Sequence, residues 1–277
     1  MQNIAVFVSS CDRYSDLWDG FYALFFKYWP DCQLPVYHVS DSRKFEHPRV
    51  ASICPDQPGR RYNWSGLTKW ALGQIPEEYI LFSLDDYFLI RPVDTALLGE
   101  CFEAVRREGA SYLRLTPNPP PPAPLGGYRH IGVLPKNTPW RTSLQVAIWK
   151  KEALWQLLDE KENQWEYEHQ SVHRADCTDD VYLSLALDEK STNWQKNYEK
   201  AYYPILHYNA THMGKWDRQT LAFCRKKKIP VDCSARPIET PWKGFYKKYY
   251  LKEHVLVDHL LDFVNHRFMT GRAAGKN

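Results

Sequence analysis

Two aspartates stand side by side, Asp85 and Asp86, directly after Tyr79-Ile-Leu-Phe-Ser-Leu84, a run apolar at nearly every position. Hard carboxylate oxygens placed this way can hold Mg²⁺ or Mn²⁺, and such an ion can bridge a diphosphate. An apolar strand reads as central and buried on both faces. Open α/β sheets bind ligands at the carboxyl ends of such strands. Solvated acids in an Asx-type turn explain one aspartate readily; two after so apolar a run favour a site. Asn63-Trp64-Ser65-Gly66 leads to Lys69, a cation suited to neutralising phosphate, although capping by Ser65 with Trp70 in the core explains the same residues equally well. His207-Tyr-Asn-Ala-Thr-His212-Met-Gly214-Lys215 offers two imidazoles, a flexible glycine and an ammonium group, where lone histidines are more often structural. No phosphate-binding P-loop, dinucleotide fingerprint, G-x-S-x-G elbow or zinc-ligand spacing occurs.

The elements that must position these groups read as alternating strands and helices. Ile4–Val8 is a buried first strand, followed by the polar loop Ser9-Ser10-Cys11-Asp12-Arg13. Asp16 reads as the cap of a helix whose apolar face is Leu17, Phe21, Leu24, Phe25 and Tyr28, stopped by Pro30. Val36–Val39 is a second strand ending at Ser40-Asp41, so the chain opens with a β-α-β unit and a right-handed crossover. Asp94 caps a further helix that ends near Gly109. The proline-rich stretch from Pro117 to Pro124 reads as a stiff surface loop inside one domain, with a linker as the alternative. Strands follow at Tyr112–Leu115, Leu144–Trp149 and Pro204–Tyr208. Asp179-Asp180 reads as the start of a helix, where the dipole favours acids, and Trp216–Lys228 as a late helix with a basic end.

Composition bounds the class. Hydrophobic residues make up 44% and charged residues 25% of the 277, which excludes a disordered or fibrous chain. Aromatic residues reach 15%, a content that suits stacking on flat ligands or sugars but also fills cores. A net charge of +3 gives no reason to invoke nucleic acid. Seven scattered cysteines, no apolar run of about 20 residues and no basic, apolar leader point to a cytoplasmic protein with reduced thiols.

The segment Tyr79–Leu89, with Pro92-Val93-Asp94 after it, resembles the metal-site region of GT-A-type glycosyltransferases, although here it reads Asp-Asp-Tyr rather than Asp-x-Asp, with Ser83-x-Asp85 as the other framing. The run Leu144–Leu154 followed by Trp165-Glu166-Tyr167-Glu168 resembles bacterial capsule and lipopolysaccharide glycosyltransferases. The resemblance covers residues 1 to about 220. It implies a single GT-A-like, Rossmann-like α/β domain: a mostly parallel twisted sheet flanked by helices. It also implies transfer of a sugar from a nucleotide-diphospho-sugar to a hydroxyl of a glycan or lipid-linked acceptor, with inversion, in cell-envelope synthesis. Carried over residue by residue, it makes Asp85 and Asp86, with His207 or His212, ligands of Mn²⁺ or Mg²⁺. Ser9, Asp12, Arg13, Asp41, Asn63, Lys69 and Lys215 fall to the donor. Glu168 is the general base, with Glu166 and Asp180 as the other candidates, and Trp165 and Trp149 line the acceptor side.

Two other classes remain open from sequence: a non-catalytic sugar- or nucleotide-binding protein, and a Mg²⁺-dependent nucleotidyltransferase, which would usually carry a glycine-rich loop after the first strand. Residues 1–242 form the expected domain. From Lys243 the chain carries a net +4, leaving the first 242 residues at −1. Tyr249, Leu256, Leu260, Phe263 and Val264 beside lysines read as a basic amphipathic helix, either docked on the domain or lying on the cytoplasmic face of a membrane.

Overall fold

A computed structural model describes residues 1–55, 62–186 and 203–239. The expected C-terminal helix lies outside the described residues. Eight strands form one twisted sheet in the order β3-β2-β1-β4-β8-β6-β9-β7. They are β1 (Ile4–Ser9), β2 (Val36–Val39), β3 (Ala51–Ile53), β4 (Tyr79–Leu84), β6 (Tyr112–Arg114), β7 (Ile131–Val133), β8 (Ala147–Lys150) and β9 (Tyr182–Leu185). The pairs β1–β2, β1–β4, β2–β3 and β6–β9 are parallel, while β8 and β7 run against their neighbours. The sheet is therefore mixed but mostly parallel. Strands after the proline-rich stretch join the same sheet as those before it.

Alternation along β1 decides the layers. Ile4, Val6 and Val8 pack on one face against α1 (Trp18–Tyr28), α3 (Thr95–Arg107) and α6 (Arg218–Lys227). Ala5 and Phe7 pack on the other against α2 (Trp64–Leu72), α4 (Lys151–Leu157) and α5 (Gln164–Asp176). Phe7 is fully buried and stacks on Phe82 of β4 at 5.9 Å between ring centroids. Burial of one such ring contributes about 2–3 kcal/mol. β4 lies between β1 and β8, the central place its apolar run requires.

Several local expectations are corrected. A 3₁₀ turn, Asp12–Leu17, precedes α1, so Asp16 caps nothing and is instead gripped by Arg236. Asn63, not Ser65, caps α2: its side chain accepts from Gly66 N, while Ser65 is buried as the second residue of the helix. Asp179-Asp180 opens no helix. The next element is β9, whose four residues are all buried between β6 and β7. Trp216 belongs to a small hairpin, β11 (Thr211–His212) and β12 (Lys215–Trp216), and α6 starts after its Asp217 cap. Asp94 does cap α3, accepting from Leu97 N.

Candidate active site

β4 ends at Leu84, and the turn Asp85-Asp86 leads into a short strand, β5 (Tyr87–Leu89), paired antiparallel with β10 (His207–Asn209). Asp85 is buried. Its Oδ2 accepts hydrogen bonds from the Ser10 hydroxyl and, at 3.3 Å, from Trp18 Nε1. Burial, with the neighbouring Asp86 charge, pushes its carboxyl well above the usual range. Asp86 is held by the hairpin: Thr211 Oγ1 donates to Oδ2 at 3.1 Å, and Ala210 N donates to its carbonyl at 2.7 Å. Its Oδ1 is buried with no hydrogen-bond partner. Burial raises the Asp86 carboxyl to about 6.

The loop after β1 is knitted to the end of β2. Asp12 accepts from the amides of Ser42 and Arg43, both at 3.0 Å, and from the Ser42 hydroxyl. Asp41 accepts from Asp12 N at 2.9 Å. Partial burial raises the Asp12 carboxyl, but these donors outweigh it and hold it below its ordinary value. Ser9 accepts from Trp64 Nε1 at 3.0 Å, which brings the start of α2, capped by Asn63, to the end of β1. Arg13 is exposed and offers its carbonyl to Arg236 at 3.2 Å. Ser9, Asp12, Arg13, Asp41 and Asn63 thus gather at the carboxyl ends of β1 and β2, on the same edge as Asp85.

Glu168 lies on α5, which packs under that edge. Its Oε1 accepts from Leu144 N at 2.8 Å, and the carbonyl of Leu144 accepts from the Tyr87 hydroxyl at 3.3 Å. One residue therefore links Glu168 to the strand that begins beside Asp86. Burial raises the Glu168 carboxyl, against the Leu144 hydrogen bond that lowers it. Glu166 closes a capping box instead: Asn163 accepts from its amide, and Glu166 Oε2 accepts from Asn163 N at 2.8 Å. Asp180 sits in the turn before β9, where its carbonyl accepts from Arg141 at 3.4 Å. Trp165 is 65% exposed. Trp149 corrects the acceptor-side expectation, because it is 1% exposed in β8 with its ring 4.3 Å from Tyr112.

The remaining cations and imidazoles divide. His212 and Lys215 face each other across the β11–β12 hairpin. The turn between them holds Met213 at φ 50° and Gly214 at φ 75°, both left-handed, and only the second is a residue that takes this region without strain. Thr211 of the same hairpin reaches Asp86, and Lys215 follows Thr211 by four residues. His207 is buried, stacks on Tyr87 at 4.1 Å and is driven to about 4 by burial, which keeps it neutral. Lys69 points elsewhere: Nζ donates to the Leu158 carbonyl at 3.1 Å and lies 4.2 Å from the centre of the Trp155 ring.

No protein-family model matches the chain, and no curated protein matches it in sequence. Solved structures do. The crystal structure of S. aureus TarS 1-349 aligns over 68% of this chain at 13% identity with a TM-score of 0.42. Its complex with UDP-GlcNAc aligns over 67% at 11% identity and 0.41. The bifunctional IspDF from Campylobacter jejuni aligns over 73% at 12% identity and 0.37. The chain spans 58%, 59% and 55% of these three structures respectively. Likeness at this level carries no argument about function.

The family resembled in sequence implies a divalent ion at the aspartate pair, and the donor set fits one. Asp86 Oδ1 is a hard oxygen, buried and unpartnered. Mg²⁺ is commonly held by one or two carboxylates and substrate phosphates rather than by an all-protein cage. Among the described residues no three His, Cys, Asp or Glu side chains converge, so neither His207 nor His212 joins the aspartates in a cluster. Sequence reasoning missed Arg236. Its guanidinium grips Asp16 through two bonds of 2.7 and 2.5 Å, covers Tyr14 at 4.4 Å, and exerts a positive field on both Asp85 and Asp86. An ion pair spanning that much sequence leaves no local signal. Of the two residues that hold Asp85, Ser10 was visible only as a loop serine and Trp18 gave no signal. No described helix is long and apolar enough to cross a membrane.

Proposed function

We propose that the protein transfers a sugar from a nucleotide-diphospho-sugar to a hydroxyl of a glycan or lipid-linked acceptor, with inversion at the anomeric carbon, in cell-envelope synthesis. The observation that carries this reading is the Asp85-Asp86 pair at the carboxyl end of the central strand, with Asp86 Oδ1 buried and unpartnered. A divalent ion held by Asp86, beside Asp85, would neutralise the donor diphosphate as the nucleotide departs. The loops carrying Ser9, Asp12, Asp41 and Asn63 shape the edge where the nucleotide binds. Lys215, on the hairpin that holds Asp86, supplies positive charge to the leaving group. Glu168 takes the proton from the acceptor hydroxyl as that oxygen attacks, and its burial raises its affinity for that proton.

Thermal shifts with UDP, GDP, CMP and dTDP, each with and without Mn²⁺, test the donor half, because a ligand of the folded state raises its apparent stability. One nucleotide is expected to raise Tm, more so with Mn²⁺; no response to any of the four removes the reading. With the responding sugar nucleotide, Glu168→Gln is expected to lower turnover by about 10²-fold or more while the nucleotide shift stays unchanged. Full activity in that variant would return the base to Asp180 or Glu166.

A further inference from the structure

Trp140 combines an exposed ring with a left-handed backbone. It is 42% exposed, and its backbone lies at φ 56°, a region unfavourable for a bulky side chain. The conformation is imposed from both sides. Arg114 is fully buried and donates to the Trp140 carbonyl at 2.7 Å, while its other nitrogens hold the carbonyls of Thr116 and Pro119. Arg141, the next residue, is 3% exposed and bonds Leu134 O, Ala175 O and Asp176. Two buried guanidinium groups therefore clamp a strained residue whose ring is left in solvent. Strain kept in place by over-determined surroundings is a mark of function.

The exposed indole is not alone. Its ring lies 5.2 Å from that of His169, which is exposed on α5. Trp165, 65% exposed, is four residues earlier on the same helix and so on the same face. Thr142 Oγ1 meets Ser171 Oγ at 2.8 Å and Leu144 N meets Glu168, so the 140–144 segment runs along α5 and ends at the candidate base.

We infer that Trp140, His169 and Trp165 form a stacking platform for an uncharged pyranose ring of the acceptor, an inference that rests on the glycosyl-transfer reading above. The C–H face of a pyranose is apolar and suits electron-rich indole faces, while its rim of hydroxyls needs acceptors. Glu166, exposed and next to Trp165 in sequence, offers its second carboxylate oxygen. Its charge disfavours a phosphate or an acidic peptide at that end of the surface.

The test uses the full chain on an array of neutral hexose, N-acetylhexosamine and deoxyhexose oligosaccharides, alongside the nucleotide thermal shift. Wild type is expected to bind at least one saccharide. Trp140→Gly and Trp165→Ala are each expected to weaken that binding tenfold or more and to leave the nucleotide shift intact. Because glycine accepts φ 56° without strain, Trp140→Gly is also expected to match or exceed the wild-type Tm. No saccharide bound by wild type, with the nucleotide shift present, overturns the platform alone. Saccharide binding that survives both substitutions overturns it as well. Saccharide binding lost in both variants, with no nucleotide response in wild type, keeps the platform and removes the transferase reading.

Discussion

Asp12 and Asp86 follow neighbouring parallel strands on one sheet edge, yet the fold treats their charges in opposite ways. Asp12 receives two amides and a hydroxyl, and its carboxyl is held below the ordinary value. Asp86 receives one hydroxyl, keeps one oxygen buried without a partner, and is raised to about 6. The donors that would satisfy a carboxylate are concentrated where the charge ties two loops together. At Asp86 a single hydroxyl ties one oxygen to the hairpin, and the other oxygen is left without a donor. A buried anion without donors is costly, so the second arrangement is a reserve of unspent electrostatic energy for a cation or a ligand.

The widest gap between the two residues should open on Asp86→Asn. Removing an uncompensated buried charge while keeping the shape is expected to raise stability by about 2 kcal/mol at neutral pH. The same change should abolish the Mn²⁺-dependent part of the nucleotide thermal shift. Urea melts with and without nucleotide and Mn²⁺ read both effects. A variant that loses stability, or one that keeps the metal-dependent shift, would place Asp86 in the same structural class as Asp12.

Another buried titratable group on this edge, besides Asp86, sharpens the contrast through pH. His38, at the end of β2, is fully buried between Trp18, Tyr22 and Phe45. Its Nδ1 meets the Tyr22 hydroxyl at 3.1 Å and its Nε2 has no partner. Burial lowers it to about 4, against a small opposing pull from Asp12. The unfolded chain protonates near 6.5 and the folded one only near 4, so between those values the unfolded state binds more protons. Stability therefore falls as pH drops through that window, by at most about 3 kcal/mol from this group. His38→Phe, which cannot titrate, should flatten the difference in ΔG between pH 7 and pH 4 by a comparable amount. An unchanged slope would mean that the folded His38 takes up its proton as readily as the unfolded one.

Much of this arrangement was legible in the residues, and the failures share a cause. The Tyr79–Leu84 run announced a central strand because nearly every position is apolar, and Asp94 announced a cap because the contact spans three residues. Both signals are local. Val181–Leu185 looked like helix because Asp179-Asp180 precede it, and a helix dipole favours acids at its start. Its burial comes from β6 and β7, which lie far away in sequence. Arg114 is fully buried, against the habit of its residue type, because three loop carbonyls converge on it. Trp149 in a strand and Trp165 on a helix were indistinguishable as candidate sugar platforms until packing put one in the core and left the other exposed. Among the candidate site residues, the strand-end carboxylates came from spacing. Arg236 and Trp140 emerged only in three dimensions, one through a distant ion pair and the other through a backbone angle.

The smallest effect belongs to Asp12, and its sign is the point. Asp12→Ala removes the acceptor of two amides and one hydroxyl at the junction of the β1 and β2 loops. These groups are partly exposed, so water recovers some of what is lost, and the expected cost is about 1–2 kcal/mol. The loss should be smaller at low pH. A carboxyl held below its ordinary value contributes stability above the unfolded pKa, and that contribution fades as pH falls through the folded one. Urea melts of wild type and variant at pH 7 and pH 3 measure the difference. A variant as stable as wild type at pH 7 would show that the hydrogen bonds around Asp12 are incidental. The contrast with Asp86 would then rest on burial alone, rather than on where the fold spends its donors.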